Sequence, residues 1–275
     1  MSTGRRVLLV VAIAAAVVGA ALLWQSLSKP VPELPAPPPA ATVPGDAPTA
    51  EAAPEPAIKY PLEVPAAATP LAAADIGAAL TELVGRKALM SFFQIDDFAR
   101  RFVATVDNLG RSYAPPMLWP VHPTPGQFTV EQRGGDPVIG ADNSLRYTPL
   151  VLLAEAVETG RAVDLYVRMY PLLQRAYEEL GYPKRTFNDR LIEVVDQLLA
   201  TPNAPEQGMK VRLTEVKGSI PSVRPWVRYE FADPALESLS AGQKILLRVG
   251  PVNQRRLKAR LAAIRQKIMK RAPPR

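Results

Sequence analysis

The side chains of this sequence that could carry out chemistry are almost all carboxylates. The chain has no Cys and a single His, His122, against 26 Asp and Glu residues. Disulfides, thiolate metal sites and most histidine-based mechanisms are therefore excluded. His122 lies among prolines, where a hydrogen-bonded loop histidine is a more common role than a catalytic one. General acid and base chemistry, if there is any, would fall to carboxylates such as Asp107 and Asp189.

Two polar clusters lie on elements that are otherwise patterned for burial. Asp107-Asn108 ends one predicted helix, and Asn188-Asp189-Arg190 lies in the first turn of another, which Thr186 is predicted to cap. One hypothesis is that these clusters converge with other polar and aromatic groups around an interaction groove. Its candidate residues are Asp107, Asn108, Trp119, His122, Asp189, Arg190 and Asp233. The alternative is that Asp189 and Asp233 only cap helices, because acidic groups in a first turn satisfy free N–H groups there.

No motif of the sequence identifies a cofactor, a metal or a catalytic residue. Glycine-rich phosphate loops, the His-Glu-x-x-His zinc motif and nucleophile elbows are absent. We therefore expect neither a cofactor nor a metal, and we assign no catalytic residue.

Basic residues are concentrated at the C-terminal end. No acidic residue follows Glu237, whereas 244–275 contains eleven Lys or Arg residues. The most common explanation is a core helix with a solvated charged face, and the alternative is a surface for anionic envelope material. The candidate contacts are Arg255, Arg256, Lys258, Arg260, Arg265, Lys267 and Lys270. Nucleic acid is not an expected partner, because the domain is predicted to be exported.

The spacing of apolar residues predicts a mainly α-helical domain with one or two short β-hairpins. Helices are predicted over 71–84, 86–94, 96–109, 161–180, 186–200 and from Pro251 onward. A further helix is expected to begin at Thr148-Pro149 and to end at Gly160. Alternating residues predict strands near 128–139, around Gly134-Gly135, and near 209–213 and 227–231.

A membrane anchor is predicted at the N-terminus. Residues 7–24 carry neither charge nor proline, and a helix of that length spans about 27 Å, close to the thickness of a bilayer. Arg5 and Arg6 keep the N-terminus cytoplasmic under the positive-inside rule. The alternative is a cleaved signal peptide, although the apolar core is longer than is usual for one. We predict a bacterial inner-membrane protein with a single span and a periplasmic C-terminal domain.

The predicted organisation has four parts: a cytoplasmic stub at 1–6, an anchor at 7–27, a linker at 28–70 and a helical domain at 71–272. Thirteen prolines between Pro30 and Pro70, with few large apolar residues, predict that the linker is disordered. The small residues of the anchor allow close helix packing, so the oligomeric state is left open.

Several phrases together resemble one known bacterial family. They are Phe102-Val-Ala-Thr-Val-Asp-Asn-Leu109, Leu118-Trp-Pro with Pro125-Gly-Gln-Phe128, Arg146-Tyr-Thr-Pro149, Leu180-Gly-Tyr-Pro183 with Phe187-Asn-Asp-Arg190, and Tyr229-Glu-Phe-Ala-Asp-Pro-Ala-Leu236 through Leu239-Ser-Ala-Gly-Gln-Lys244. The family is catalogued as a domain of unknown function, number 3014, and the resemblance spans roughly 98–262. It implies a Gram-negative envelope protein with an N-terminal anchor, and it implies no activity.

The function expected from these observations is a membrane-tethered interaction or scaffold module of the cell envelope. Its partner would be an envelope protein or polymer beyond the membrane, which the long linker could reach. The alternative is a carboxylate-dependent envelope hydrolase that uses Asp107 and Asp189 as acid and base.

Overall fold

The structure, a computed structural model, describes residues 57–65, 68–214 and 224–271. These residues fall within one compact unit, Pro54–Arg275. Across the described ranges, no helix is both long and apolar enough to cross a membrane. The predicted anchor at 7–27 lies outside the described residues, as do the first 29 residues of the predicted linker.

Helices dominate the described part of the chain. They are α1 Ile76–Val84, α2 Arg86–Phe92, α3 Phe98–Leu109, α4 Asn143–Ala156, α5 Thr159–Glu179, α6 Phe187–Leu199, α7 Pro234–Glu237, α8 Ala241–Arg248 and α9 Pro251–Met269. Short 3₁₀ turns cover Ala73–Asp75, Pro116–Leu118 and Pro225–Arg228.

Two antiparallel pairs of short strands complete the domain. Strand β1 Val130–Arg133 pairs with β2 Asp136–Ile139, and β3 Val211–Leu213 pairs with β4 Tyr229–Phe231. The two pairs are joined because the Ile139 N–H donates to the Met209 carbonyl at 2.9 Å. The prediction of a mainly helical fold with one or two short hairpins is thus confirmed, and the structure has two.

The helices enclose the larger of two hydrophobic cores. Helix α3 packs against α5 and α6, and α9 lies across α4, α5 and α6. Tyr177, Phe187 and Ile192 are fully buried at the centre of this core. A smaller core lies under the strands, where Val211 and Phe231 pack with Leu247 of α8.

Several element boundaries lie where local chemistry predicts them. Helix α1 ends at Gly85, whose φ of 81° is a conformation that favours glycine. The hairpin turn uses Gly134 and Gly135, both with positive φ. Thr186 caps α6, since its hydroxyl accepts the Asp189 N–H at 3.3 Å.

The predicted start of a helix at Thr148-Pro149 is wrong. Helix α4 begins five residues earlier, at Asn143, and Pro149 lies inside it. Asn143 is buried and bonds to both backbone groups of Thr129, which fixes the first turn against the β1 segment. The Asn253 side-chain amide of α9 donates to the Ser144 carbonyl and to the Thr148 hydroxyl. These distant contacts hold the helix despite its internal proline.

The prediction that Gly160 ends this helix is also wrong. Helix α4 stops at Ala156, and Gly160 lies in the first turn of α5. Glu158 is the N-cap of α5, because its carboxylate accepts the N–H groups of Gly160 and Arg161 at 2.6 and 2.8 Å. A Cβ at Gly160 would approach that carboxylate to 2.8 Å. Glycine is therefore used here for the close approach of a cap and not to end a helix.

Residues 57–65, which lie within the predicted linker, contact the folded domain. Tyr60, Leu62 and Val64 are partly buried against the larger core. The backbone of Tyr60 is hydrogen-bonded to Asn188 and Asp189 on α6. The packed part of the chain thus begins upstream of the predicted boundary at residue 71, because every second side chain from Tyr60 to Val64 is apolar and packs against the larger core.

Candidate functional site

Asp107 and Arg190, two residues of the predicted groove, are brought together. The Arg190 Nε lies 2.8 Å from the Asp107 Oδ1, and an Arg190 terminal nitrogen lies 2.8 Å from the Asp107 carbonyl oxygen. Asp107 is only 4% exposed. Burial of a carboxylate is tolerated when it is paired and hydrogen-bonded, and both conditions are met. This pair joins the C-terminal end of α3 to the first turn of α6.

A second arginine completes this cluster. A terminal nitrogen of Arg111 lies 2.7 Å from Asp107 Oδ2, and Arg111 also donates to the Tyr182 hydroxyl. The negative charge of Asp107 raises the pKa of Arg111 above its ordinary value. A Cβ at Gly110 would lie 2.8 Å from a terminal nitrogen of Arg190 and 3.0 Å from the Val194 side chain, so a larger residue here would displace side chains of this cluster. Asp107 therefore bonds to two arginines, an arrangement that suits structural support better than proton transfer.

Asn188 and Asp189 hold the upstream segment against the domain. The Asp189 carboxylate accepts the backbone N–H groups of Lys59 and Tyr60 at 3.0 and 2.7 Å. The Asn188 side-chain amide donates to the Tyr60 carbonyl at 2.8 Å, and its oxygen accepts the Tyr166 hydroxyl at 2.9 Å. Burial raises the pKa of that hydroxyl well above its ordinary value, so Tyr166 stays a neutral donor. We call these contacts the Tyr60 clamp.

The other residues of the predicted groove lie in separate local structures. Among the described residues, no hydrogen bond or ion pair joins Trp119, His122 or Asp233 to the Asp107–Arg190 pair. The Asn108 amide donates within its own helix, to the Ala104 carbonyl. Trp119 is half-buried with its ring N–H lacking a partner in the described part of the chain, and His122 is exposed. Asp233 caps α7 by accepting the Ala235 N–H at 2.8 Å, as the capping alternative predicts.

The basic residues of α9 are largely used inside the domain. Arg255, Arg256 and Arg265 form ion pairs with carboxylates of neighbouring segments, and Lys258 and Arg260 donate to carbonyl groups. The partners are Glu206 for Arg255, Glu155 for Arg256, Asp196 for Arg265, the Thr201 carbonyl for Lys258 and the Val157 carbonyl for Arg260. For Lys267 and Lys270, no ion pair is formed within the described ranges. Helix α9 thus fastens α4 and α6, as expected of a core helix with a charged face.

Within 57–65, 68–214 and 224–271, no cluster of three or more His, Asp or Glu side chains could hold a metal ion.

A cleft that sequence reasoning missed lies beside the smaller core. It has a volume of about 270 Å³ and is lined by Phe128, Arg146, Tyr147, Trp226, Tyr229 and Arg248, with Val227 at 68% exposure also contributing. We call it the arginine cleft. The rings of Phe128 and Tyr229 lie 5.7 Å apart, the Arg146 guanidinium lies 5.5 Å from the Tyr147 ring, and that of Arg248 lies 5.0 Å from the Phe231 ring.

The electrostatics of the arginine cleft are unusual for this domain. Burial lowers the pKa of Arg248, and the charge of Glu237 only partly offsets that effect. Among the described residues, no carboxylate forms an ion pair with Arg146 or Arg248. A signal was present in the sequence, because Phe128, Arg146-Tyr147 and Tyr229 belong to phrases that carry the family resemblance. Their convergence was not visible, since they lie up to about 100 residues apart in the chain.

Comparison with known proteins gives one match. No curated protein matches the chain, and neither does any solved structure. Residues 98–265 match the family described as protein of unknown function (DUF3014). This range includes α3 to α8, most of α9, both strand pairs and every residue that lines the arginine cleft. The predicted resemblance is thereby confirmed, and the chain belongs to the DUF3014 family of proteins of unknown function.

Proposed function

We propose that this protein is a membrane-tethered interaction module of the bacterial cell envelope. Residues 7–27 would anchor it in the inner membrane, the proline-rich segment that follows would act as a spacer, and the helical domain would work in the periplasm. The uncharged run at 7–24 and the preceding Arg5 and Arg6 support this topology. The spacer supports a role at a distance from the membrane, because proline-rich chains reach about 3 Å per residue.

The observation that carries the proposal is the Tyr60 clamp. The chain arriving from the spacer meets the domain at a defined point, where Asn188 is 2% exposed and Asp189 accepts two backbone N–H groups. Hydrogen bonds to a charged group contribute roughly 1.5–3 kcal/mol each. Such an attachment fixes the point at which the spacer leaves the domain.

The contacts of the two candidate acid and base residues weigh against the hydrolase alternative. Asp107 is held by Arg190 and Arg111, and Asp189 holds the backbone of Lys59 and Tyr60. General acid–base catalysis needs a carboxyl group within reach of a substrate proton. Both carboxylates are instead engaged by the protein itself.

Crosslinking in intact cells tests the proposal. A photoreactive amino acid is placed in the full-length protein at Met117 or at Val227, which are 78% and 68% exposed. We expect adducts of higher mass, recovered in the membrane fraction, and we expect deletion of residues 30–55 to reduce them without releasing the protein from the membrane. A soluble product beginning near Lys29 would overturn the anchor. If deletion of the spacer leaves the adducts unchanged, the proposal that the spacer lets the domain reach a distant partner is overturned.

A further inference from the structure

The two arginines of the arginine cleft have no carboxylate partner among the described residues, unlike the arginines that pair with Asp107. Arg190, Arg111 and Arg265 pair with carboxylates. Arg146 and Arg248, in contrast, hydrogen-bond only to neutral oxygens of the described residues. Two positive charges at one cleft repel each other unless an anion joins them, so this arrangement favours a negatively charged ligand.

The donors of the two guanidinium groups are unequally occupied. Arg146 donates to the carbonyls of Pro125 and Gly126 at 2.9 and 3.2 Å, to the Asn143 side-chain oxygen at 3.3 Å and to the Thr124 hydroxyl at 3.5 Å, so its position is fixed and most of its donors are used. Arg248 donates to the Tyr229 carbonyl at 3.0 Å. A guanidinium has five N–H groups, which leaves donors on Arg248 without a protein partner in the described part of the chain.

The carboxylates whose charge acts most on Arg248 form their ion pairs with other cations. Glu237 bonds to Lys244 at 2.8 Å, and Glu230 pairs with Arg212 at 3.4 Å. Since Arg248 is already largely removed from water, an incoming anion would gain attraction to it without paying for much of its desolvation. Arg248 can therefore form an ion pair with an anionic ligand, because no carboxylate of the described residues forms one with it.

The walls and the size of the cleft restrict the rest of the ligand. Phe128, Tyr147, Trp226 and Tyr229 provide aromatic surface, which favours an apolar or flat group. Drug-sized ligands occupy pockets of about 300 Å³ or more, whereas this cleft has about 270 Å³. It therefore accommodates one residue-sized group at the end of a longer molecule.

We propose that the arginine cleft binds the carboxylate end of a peptide whose last side chain is apolar. Arg248 would donate to the carboxylate, because a guanidinium group matches its geometry, and the fixed Arg146 would add a second positive charge. The aromatic walls would hold the side chain. The inference rests on the proposed role as an interaction module and gives that module a ligand. The peptide end could belong to a protein or to a short wall peptide, which share this chemistry.

Calorimetric titration of the full-length protein in lipid nanodiscs tests the site. The probes are N-acetylated alanyl-phenylalanine with a free carboxylate and the same dipeptide as its C-terminal amide. We expect the free acid to bind about tenfold or more tightly than the amide, because hydrogen bonds to a charged group are lost in the amide. N-acetylated D-alanyl-D-alanine is the third probe, and a preference for it would assign the peptide end to the cell wall.

Two variants and one matched control connect binding to the cleft. Val227→Glu places a carboxylate at the cleft from an exposed position, where it should compete for the arginines and lower affinity about tenfold or more. Arg248→Gln should have a similar effect on the free acid and little effect on the amide. Met90→Glu introduces the same charge on α2 at a position that is 72% exposed, and it should leave binding unchanged.

Each result decides for or against the site. Equal affinity for acid and amide, or no binding of either, would overturn the proposal, as would unchanged binding in Val227→Glu. Loss of binding in Met90→Glu to the same extent would also overturn it, because the effect would then be nonspecific. If no peptide binds while crosslinked adducts still form in cells, the ligand assignment fails and the interaction module stands. If peptides bind but the adducts are absent, the ligand assignment stands and the interaction module fails.

Discussion

Replacement of Arg190 by Met should lower the free energy of unfolding by about 3 kcal/mol. The substitution keeps an unbranched side chain but removes both hydrogen bonds to Asp107, whose side chain is 5% exposed. Removing one partner of a buried ion pair costs about 3–5 kcal/mol, because the other charge stays buried. Arg111 still holds the second oxygen of Asp107, so the lower end of that range is expected.

The measurement is urea unfolding of the full-length protein in detergent micelles, followed by the circular dichroism of its helices. Arg212→Met is the matched control, since Arg212 pairs with Glu230 but is 62% exposed. An exposed pair contributes about 0–1 kcal/mol. A double-mutant cycle of Arg190→Met with Asp107→Asn should show a coupling of about 2 kcal/mol, because each change removes the same contact.

A cost of less than about 1 kcal/mol for Arg190→Met would refute this reasoning. Asp107 would then be solvated well enough to lose its partner, and it would become available for chemistry after all. A coupling near zero in the double-mutant cycle would lead to the same conclusion. The unfolding slope with urea should be unchanged, since a change in slope would indicate altered compactness and not a lost contact.

Two further outcomes follow from individual contacts. Burial alone would raise the pKa of Glu237, but its hydrogen bonds to Lys244 and to the Phe231 N–H outweigh that effect and lower the pKa below 4.5. Wild type should therefore be more stable than Glu237→Gln at neutral pH, and the difference should shrink as pH falls below 4.5 and through the lowered pKa, as urea midpoints will show. Asp189→Ala should open the Tyr60 clamp and raise the rate of tryptic cleavage after Lys59 about tenfold or more, read by mass spectrometry.

Matched controls separate these effects from general loss of stability. Asp233→Ala also removes an aspartate that bonds to backbone, at the N-cap of α7, and it should leave cleavage after Lys59 at the wild-type rate. Equal acceleration in both variants would contradict the clamp. For Glu237, a difference from the Gln variant that stays constant below pH 4.5 would contradict the assigned direction of the pKa shift.

Local chemistry was sufficient to predict most element boundaries. Thr186 and Asp233 cap helices because their side-chain oxygens reach N–H groups two or three residues ahead. Gly134 and Gly135 form a turn because both need positive φ. Each of these interactions spans only a few residues, so the sequence contains everything that decides them. The apolar residues of α6 are a further example, because their helical spacing alone predicts which face of the helix is buried.

The sequence by itself determined the helical class, the two hairpins and the family, since these depend on periodicity, on turn residues and on recognisable phrases. Only the tertiary structure decided what the polar side chains do. Asn143 starts α4 before Pro149 because it bonds to Thr129 across a loop. Asp189 binds residues about 130 positions upstream, and Arg146 meets Arg248 across about 100 residues at one cleft. Such contacts depend on how the chain folds back on itself, and no local pattern records that path.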